Sequence, residues 1–190
     1  FAEGKYEHLP ELAAELVQLK ADVIVASGTP AISAAQKSTT TIPIVIVSVS
    51  DPVGSGFVKT LARPGGNITG LSNISVDISP KLLEMLLSMA PGLSRVAVLV
   101  NPANQSHPLV LKNVQSAAQR TGTTILPVEA RNAPEIEKAF SAMARGKAGA
   151  VIVPRDARFL ELRRRIVELA AKHRLPSIST LMELVEAGGL

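Results

Sequence analysis

The apolar positions of this chain recur in two rhythms. Leu9, Leu12, Ala13, Leu16 and Val17 fall at helical spacing, which predicts an amphipathic helix over 10–19. A short β-branched run at 22–26 follows. It breaks into Ser27-Gly28-Thr29-Pro30 and resumes as a helical composition over 31–36. Strand, tight polar turn and helix make half of a βαβ unit. After a polar loop at 37–41, residues 44–50 are almost continuously apolar. That predicts a strand covered on both faces, hence a parallel sheet. Asp51-Pro-Val-Gly-Ser-Gly56 closes the strand, 57–62 predicts a short helix, and Arg63-Pro-Gly-Gly-Asn67 predicts a loop. Residues 68–74 predict a short extended segment whose small residues suit a crossover between two lobes.

The alternation then restarts. Ser79-Pro80 opens a helix carrying Leu82, Leu83, Leu86, Leu87 and Met89, closed by Pro91-Gly92. Strands are predicted at 95–100, 123–128, 148–153 and 176–180. Helices are predicted at 109–120, after Asn132, and as one long helix over 158–173. Asn132 with Glu135 resembles a capping box, with Ile136, Phe140 and Met143 on one helical face. Four strands with three intervening helices make a nearly complete lobe. The part before residue 68 has too few strands for a lobe of its own. The expected class is therefore α/β, with two Rossmann-like lobes of parallel sheet flanked by helices. Residues 1–70 form a partial first lobe lacking its opening βα unit, and 71–190 form the second, with a crossover near 68–76.

Composition narrows this picture. The chain has 190 residues, 46% of them hydrophobic and 19% charged, enough for a real core. Its net charge of +4 is scattered, and at 3% aromatic it lacks the stacking groups of a nucleic-acid reader, so no nucleic-acid partner is expected. With no cysteine, thiol catalysis, disulfides and cysteine-ligated metals are excluded. No run approaches the roughly 18 apolar residues of a membrane span. His8, His107 and His173 are dispersed, show no metal spacing, and read as surface or capping residues. Gly54-Ser-Gly56 lacks the third glycine of a dinucleotide fingerprint, and no glycine precedes Lys59-Thr60 as a P-loop requires. Arg163-Arg-Arg165 reads as a solvated helix face. No catalytic set, cofactor or metal is expected.

Chemistry is expected where strands end, because open parallel sheets bind ligands beyond their carboxyl ends. Pro30 fits a first helical turn and Thr29 an N-cap, so the 27–29 turn offers free N–H groups and a dipole end to an anion. The competing reading of Ser27 and Thr29 is a simple cap. The other strand-end candidates are Ser48, Ser50 and Asp51, then Asn73, then Asn101 and Asn104, and finally Asp156. Asp51-Pro52 and Asn101-Pro102 are also turn signals.

Several runs together resemble a known family. They are Phe-Ala-Glu-Gly-Lys-Tyr6, Asp22-Val-Ile-Val-Ala-Ser-Gly-Thr-Pro30, Thr41-Ile-Pro-Ile-Val45, Asp51-Pro-Val-Gly-Ser-Gly56, Leu61-Ala-Arg-Pro-Gly-Gly-Asn-Ile-Thr-Gly70, Pro91-Gly-Leu-Ser-Arg-Val-Ala-Val-Leu99 and Glu186-Ala-Gly-Gly-Leu190. The chain resembles the ABC-transporter substrate-binding family that includes tryptophan and tyrosine uptake lipoproteins, similar to type I periplasmic binding proteins. The resemblance implies two lobes, a hinge with several crossings, and a ligand in the cleft. It makes Ser27, Gly28, Thr29, Ser48, Ser50, Asp51, Asn73, Asn101, Asn104 and Asp156 the cleft walls. For an amino-acid ligand, the Ser27/Thr29 turn would take the carboxylate. Asp156 or Asp51 would take the ammonium, and Asn101 and Asn104 would bridge from the second lobe.

The implied role is the extracytoplasmic solute-binding component of a bacterial ABC importer for an amino acid or other small carboxylate. Such a protein is not an enzyme. It is periplasmic or on the cell surface, works with an ABC permease, and meets the membrane only through a lipid anchor absent from this chain. The strand at 22–26 is expected to lack a neighbour, which invites a homo-oligomer contact. Two alternatives remain open at this point: the ligand-sensing core of a transcription regulator, and an α/β enzyme such as a racemase or nucleotide-dependent transferase.

Overall fold

The computed structural model describes Ala2 and residues 5–189. The resemblance run over 1–6 falls partly outside the described residues, as does the last residue of the 186–190 run. Two compact units result. The first comprises Phe1–Ile74 with Ala103–Ser106, and the second comprises Ser75–Pro102 with His107–Leu190.

In the first unit, a 3-10 turn at Tyr6–His8 leads into α1 (Leu9–Gln18). Then follow β1 (Ile24–Ser27), α2 (Thr29–Ser38), β2 (Ile44–Val49) and β3 (Ile68–Ser72). The three strands are parallel in the order β1-β2-β3. Ile24, Ala26, Ile44, Ile46 and Ile68 pack with Ile32, Ala35 and Phe57 into one core. The opposite sheet face is open, in contrast to the doubly covered strand expected at 44–50. Val25 is 69% exposed, Val47 37% and Leu71 71%. A continuous apolar run cannot say which of its faces finds a helix. Here α1 packs on α2, and α2 covers β1 and β2 from one side.

The helix expected at 57–62 does not form. Phe57 and Val58 both donate their N–H groups to the Pro52 carbonyl (2.9 and 3.2 Å), and Lys59 donates to Pro64 (2.9 Å). With Gly56 at φ +72°, the segment is a chain of turns that drops Phe57 into the core. Residues 68–74, expected as a short extended segment at a crossover, contribute β3 to the first sheet, and the chain passes into the second unit after Ile74. Gly70 makes that pairing possible. Its φ is +141°, and a Cβ there would overlap the Ile46 carbonyl oxygen.

The second unit carries α3 (Ser79–Met89), β4 (Arg95–Val100), α4 (His107–Thr121), β5 (Thr124–Glu129), α5 (Ala133–Arg145) and β6 (Ala150–Val153). It ends with α6 (Ala157–Glu161), α7 (Arg163–Lys172), β7 (Ser177–Ser179) and α8 (Met182–Glu186). Its parallel sheet has the order β5-β4-β6-β7. Both faces are covered. Ala97, Leu99, Val151 and Val153 face Phe140, Met143, Phe159 and Ile166, while Val96, Val98, Ala150 and Ile152 face Leu83, Leu86, Val110 and Val114.

The N-cap half of the expected capping box forms: Asn132 Oδ1 accepts from the Glu135 N–H (3.0 Å). The Glu135 carboxylate reaches the N–H of Arg131 (2.9 Å), one residue before the cap. The single long helix expected at 158–173 is two helices, broken at Leu162 (φ −90°, ψ 12°). The break lets α6 start under its own Asp156 cap while α7 lays Ile166, Val167, Leu169 and Ala170 on the sheet. Arg165 of the Arg163–Arg165 run is half-exposed and pairs with Glu137 (2.6 Å) and Glu168 (3.3 Å). The short helix α8 has no counterpart in the sequence reading.

Gly70→Ala tests the close approach of β3 to β2. It is expected to destabilise the chain by about 1–3 kcal/mol in urea unfolding, from the positive φ and the clash with backbone together. A change within about 0.5 kcal/mol would contradict the packing described.

Candidate functional site

Parallel strands joined by helices put all their carboxyl ends on one edge of the sheet. In the first unit that edge gathers most of the expected residues. Ser27 ends β1 and is exposed, while Gly28 follows at φ +82° and donates its N–H to the Val47 carbonyl (3.2 Å). Gly28, rather than Thr29, is the N-cap of α2, and it supplies no side-chain bond. Its positive φ turns the chain into the helix one residue earlier than a threonine cap would. Thr29 is thus the first helical residue and is buried, with Pro30 in the first turn as expected.

At the end of β2 the register slips: Ile46 pairs with Gly70, but Val49 pairs with Ser72. Three steps on β2 therefore oppose two on β3, a bulge. Inside it Ser48 sits at φ +61°, a left-handed conformation unusual for a residue with a Cβ. The bulge brings Ser48 to Asn73 across the strands. Asn73 Nδ2 donates to Ser48 Oγ (3.4 Å), and the Asn73 N–H donates to the Val49 carbonyl (2.7 Å). Ser50 is half-buried beside them. Asp51 closes a turn, its Oδ1 accepting from the Gly54 N–H (2.7 Å).

Asn104 counts with the first unit rather than with β4, because Gln105 Nε2 donates to Ser33 Oγ of α2 (3.2 Å). Asn104 is buried, and its Oδ1 accepts from the N–H and Oγ of Ser106 (3.1 and 2.9 Å).

In the second unit the sheet winds outward from β4 in both directions, to β5 on one side and to β6 and β7 on the other. The chain after β4 and the chain after β6 therefore leave toward opposite faces, the kind of place where open parallel sheets bind ligands. Asn101 follows β4 and Asp156 follows β6. The structure brings these two sequence candidates together: Asn101 Nδ2 donates to both Asp156 oxygens (3.3 and 3.2 Å). Asp156 Oδ1 also accepts from the N–H groups of Arg158 (2.8 Å) and Phe159 (3.2 Å), capping α6.

His107, expected as a surface or capping residue, belongs to this constellation and is not on the surface. It is 1% exposed at the start of α4. Its Nδ1 accepts from the Asn101 N–H (2.8 Å), and its Nε2 lies 3.2 Å from the Arg155 carbonyl and 3.8 Å from Asp156 Oδ2. The Phe159 ring lies against it at 5.7 Å. Burial depresses the His107 pKa below its usual 6.5, with the Asp156 charge and the Arg155 hydrogen bond acting against that shift. The sequence signal that could have found it is a histidine six residues beyond a strand-end asparagine, opening a helix. His173, half-buried, stacks on Phe140 (6.3 Å), while His8 is exposed. Among the described residues no group of three metal-ligating side chains converges, and no helix is long and apolar enough to cross a membrane.

The parallel-sheet fold agrees with that of known proteins. The model of the ABC transporter substrate binding protein family matches residues 1–190. The chain belongs to that family. A curated relative is the tyrosine-binding protein of Clostridioides difficile (strain R20291), 28% identical over 180 residues. The match takes in 94% of this chain and 51% of that protein. The chain thus spans about half the length of this curated relative. Among solved structures, a conserved domain protein from Vibrio cholerae is 26% identical with a TM-score of 0.89. An ABC domain from Streptococcus pneumonia in complex with L-Trp is 23% identical with a TM-score of 0.88 and shares the fold. Each match covers 97% of this chain and 62% of the other.

Because the folded state holds His107 neutral, the unfolded state binds the extra proton below pH 6.5, and stability falls as pH drops through that value. Urea midpoints should decline between pH 7.5 and 5, with a slope from this residue of at most about 1.4 kcal/mol per pH unit. In His107→Asn that part of the slope should vanish. An unchanged slope would mean that folding leaves the His107 pKa where it stands in the unfolded chain.

Proposed function

We propose that the protein containing this chain is the extracytoplasmic solute-binding component of a bacterial ABC importer, taking an amino acid or other small carboxylate. The observation that carries the reading is the Asn101–Asp156 pair at the point where the second sheet reverses its winding. The bulged Ser48–Asn73 pair at the same edge of the first sheet supports it.

Under this reading Ser27, Gly28 and Thr29 offer hydroxyls and helix-start N–H groups to a carboxylate. Ser48, Ser50, Asp51, Asn73, Asn101 and Asn104 supply orienting hydrogen bonds. Asp156 supplies negative charge toward an ammonium, its side chain lying inside the polar network. The tyrosine-binding and L-Trp-complexed relatives make aromatic amino acids the first class to try. The protein is read as non-catalytic, periplasmic or held at the cell surface by a lipid anchor, and delivering its cargo to a permease.

A thermal-shift screen of the full-length protein against amino acids and small carboxylates tests this. One chemical class should raise the melting temperature by several degrees, since ligand at about a hundredfold excess over Kd adds roughly 2.7 kcal/mol. No shift across the panel, or turnover of a bound compound, would refute the reading.

We also propose self-association through β1, which lies at a sheet edge with Val25 exposed beside it. Gel filtration of the 190-residue chain should show a dimer that grows with concentration and is lost in Val25→Lys. Monomer alone at high concentration would contradict it.

A further inference from the structure

We propose that His107 is the positioning residue of the second unit's strand-end site: a neutral, Nε2-protonated imidazole that ties the chain after β4 to the chain after β6 and so sets where Asn101 and Asp156 stand. The inference rests on the reading of those two residues as ligand-facing. Its physical content can be tested without any ligand.

Two backbone groups dictate the tautomer. The Asn101 N–H can only donate, so the Nδ1 it meets at 2.8 Å is bare. The Arg155 carbonyl can only accept, so the Nε2 at 3.2 Å carries the proton. One ring therefore bridges strand ends on either side of the winding reversal. The charged group facing the ring is Asp156 on the α6 side, 3.8 Å from Nε2. The first turn of α4 adds no acidic residue, and β4 presents backbone. A second proton, at Nδ1, would set donor against donor at Asn101, so the ring stays neutral despite the carboxylate nearby. Flipping the ring would leave the buried Asn101 N–H without its acceptor, which is costly. Phe159, tilted 40° against the ring at 5.7 Å, hems it in on the α6 side.

The link runs through to the proposed ligand groups. Asn101 receives its backbone restraint from His107 and spends its side-chain amide on Asp156. Asp156 is held from its own side by the α6 N–H groups. Removing the imidazole would take away the bridge between the Asn101 N–H and the Arg155 carbonyl.

The test begins with the 15N-histidine-labelled chain at pH 7. The His107 side-chain spectrum should show a bare Nδ1 and a protonated Nε2. The opposite tautomer or an imidazolium would overturn the proposal. Two variants then separate the two bonds. His107→Asn places an amide oxygen near the old Nδ1 and should keep the Asn101 N–H slow to exchange, while the resonances of residues 154–157 shift. His107→Gln places an amide nitrogen near the old Nε2. There the Asn101 N–H should exchange about tenfold faster, the loss of one buried hydrogen bond.

Identical effects of both variants at both places would indicate mere space-filling and refute positioning. Should either variant fail to fold, the wild-type tautomer still decides. L-tryptophan titrated into the full-length protein and its Asp156→Asn variant separates the underlying reading. Unchanged affinity in that variant removes the ligand role of Asp156 and leaves the tautomer result to stand or fall alone.

Discussion

The pairing of β4 with β5 on one side and β6 on the other is the constraint from which the second unit's chemistry follows. A parallel strand cannot be joined to its neighbour by a tight turn, so each connection passes over a face of the sheet as a helix. When the winding reverses at β4, the helices after β4 and β6 must leave on opposite faces. Their first residues then stand side by side at the sheet edge with backbone groups that neither sheet nor helix satisfies. Asn101, His107 and Asp156 meet that need together: a side-chain amide to a carboxylate, and an imidazole to two backbone groups. The polar network is buried because the strands under it are covered on both faces, and it is tolerable there because its members are bonded to one another.

The first unit solves the same problem differently. Its three strands wind in one direction, so no crevice opens by topology alone. Instead the strand ends are reshaped locally. A positive-φ glycine turns β1 sharply into α2, and a bulge holds Ser48 in a left-handed conformation against Asn73. Strained positions of this kind persist where surrounding packing over-determines them. Here the β3 pairing at Gly70 and the core contact of Phe57 do so. The open face of this sheet, with Val25 and Leu71 exposed, sets it apart from the doubly covered sheet of the second unit.

Much of this was legible in the residues. Apolar spacing located α1, α3 and α5, because it reports which side of a helix meets the core, and short apolar runs located β4, β5 and β6, of which β4 and β6 are buried on both faces. The Asn132–Glu135 cap was readable because capping is decided within four residues. That Asn101 and Asp156 end strands was also readable. That they touch was not, because 55 residues separate them and only the strand order joins them. His107 escaped for the same reason: its burial depends on Arg155 and Phe159, which no local pattern connects to it.

The misread elements share a cause. Residues 57–62 have helical composition, yet two N–H groups turn back to the Pro52 carbonyl, and Phe57 is drawn into the core of the first unit, which ends any helix there. The apolar run of β2 looked doubly buried, but a strand's hydrophobicity states what it could cover, not what arrives to cover it. The break at Leu162 came from the competing claims of the Asp156 cap and the sheet. Local pattern therefore determined the class of fold, the strand ends and the family. Strand order and packing decided which polar residues meet, because hydrogen bonds between distant residues form only after the sheet has set their separation.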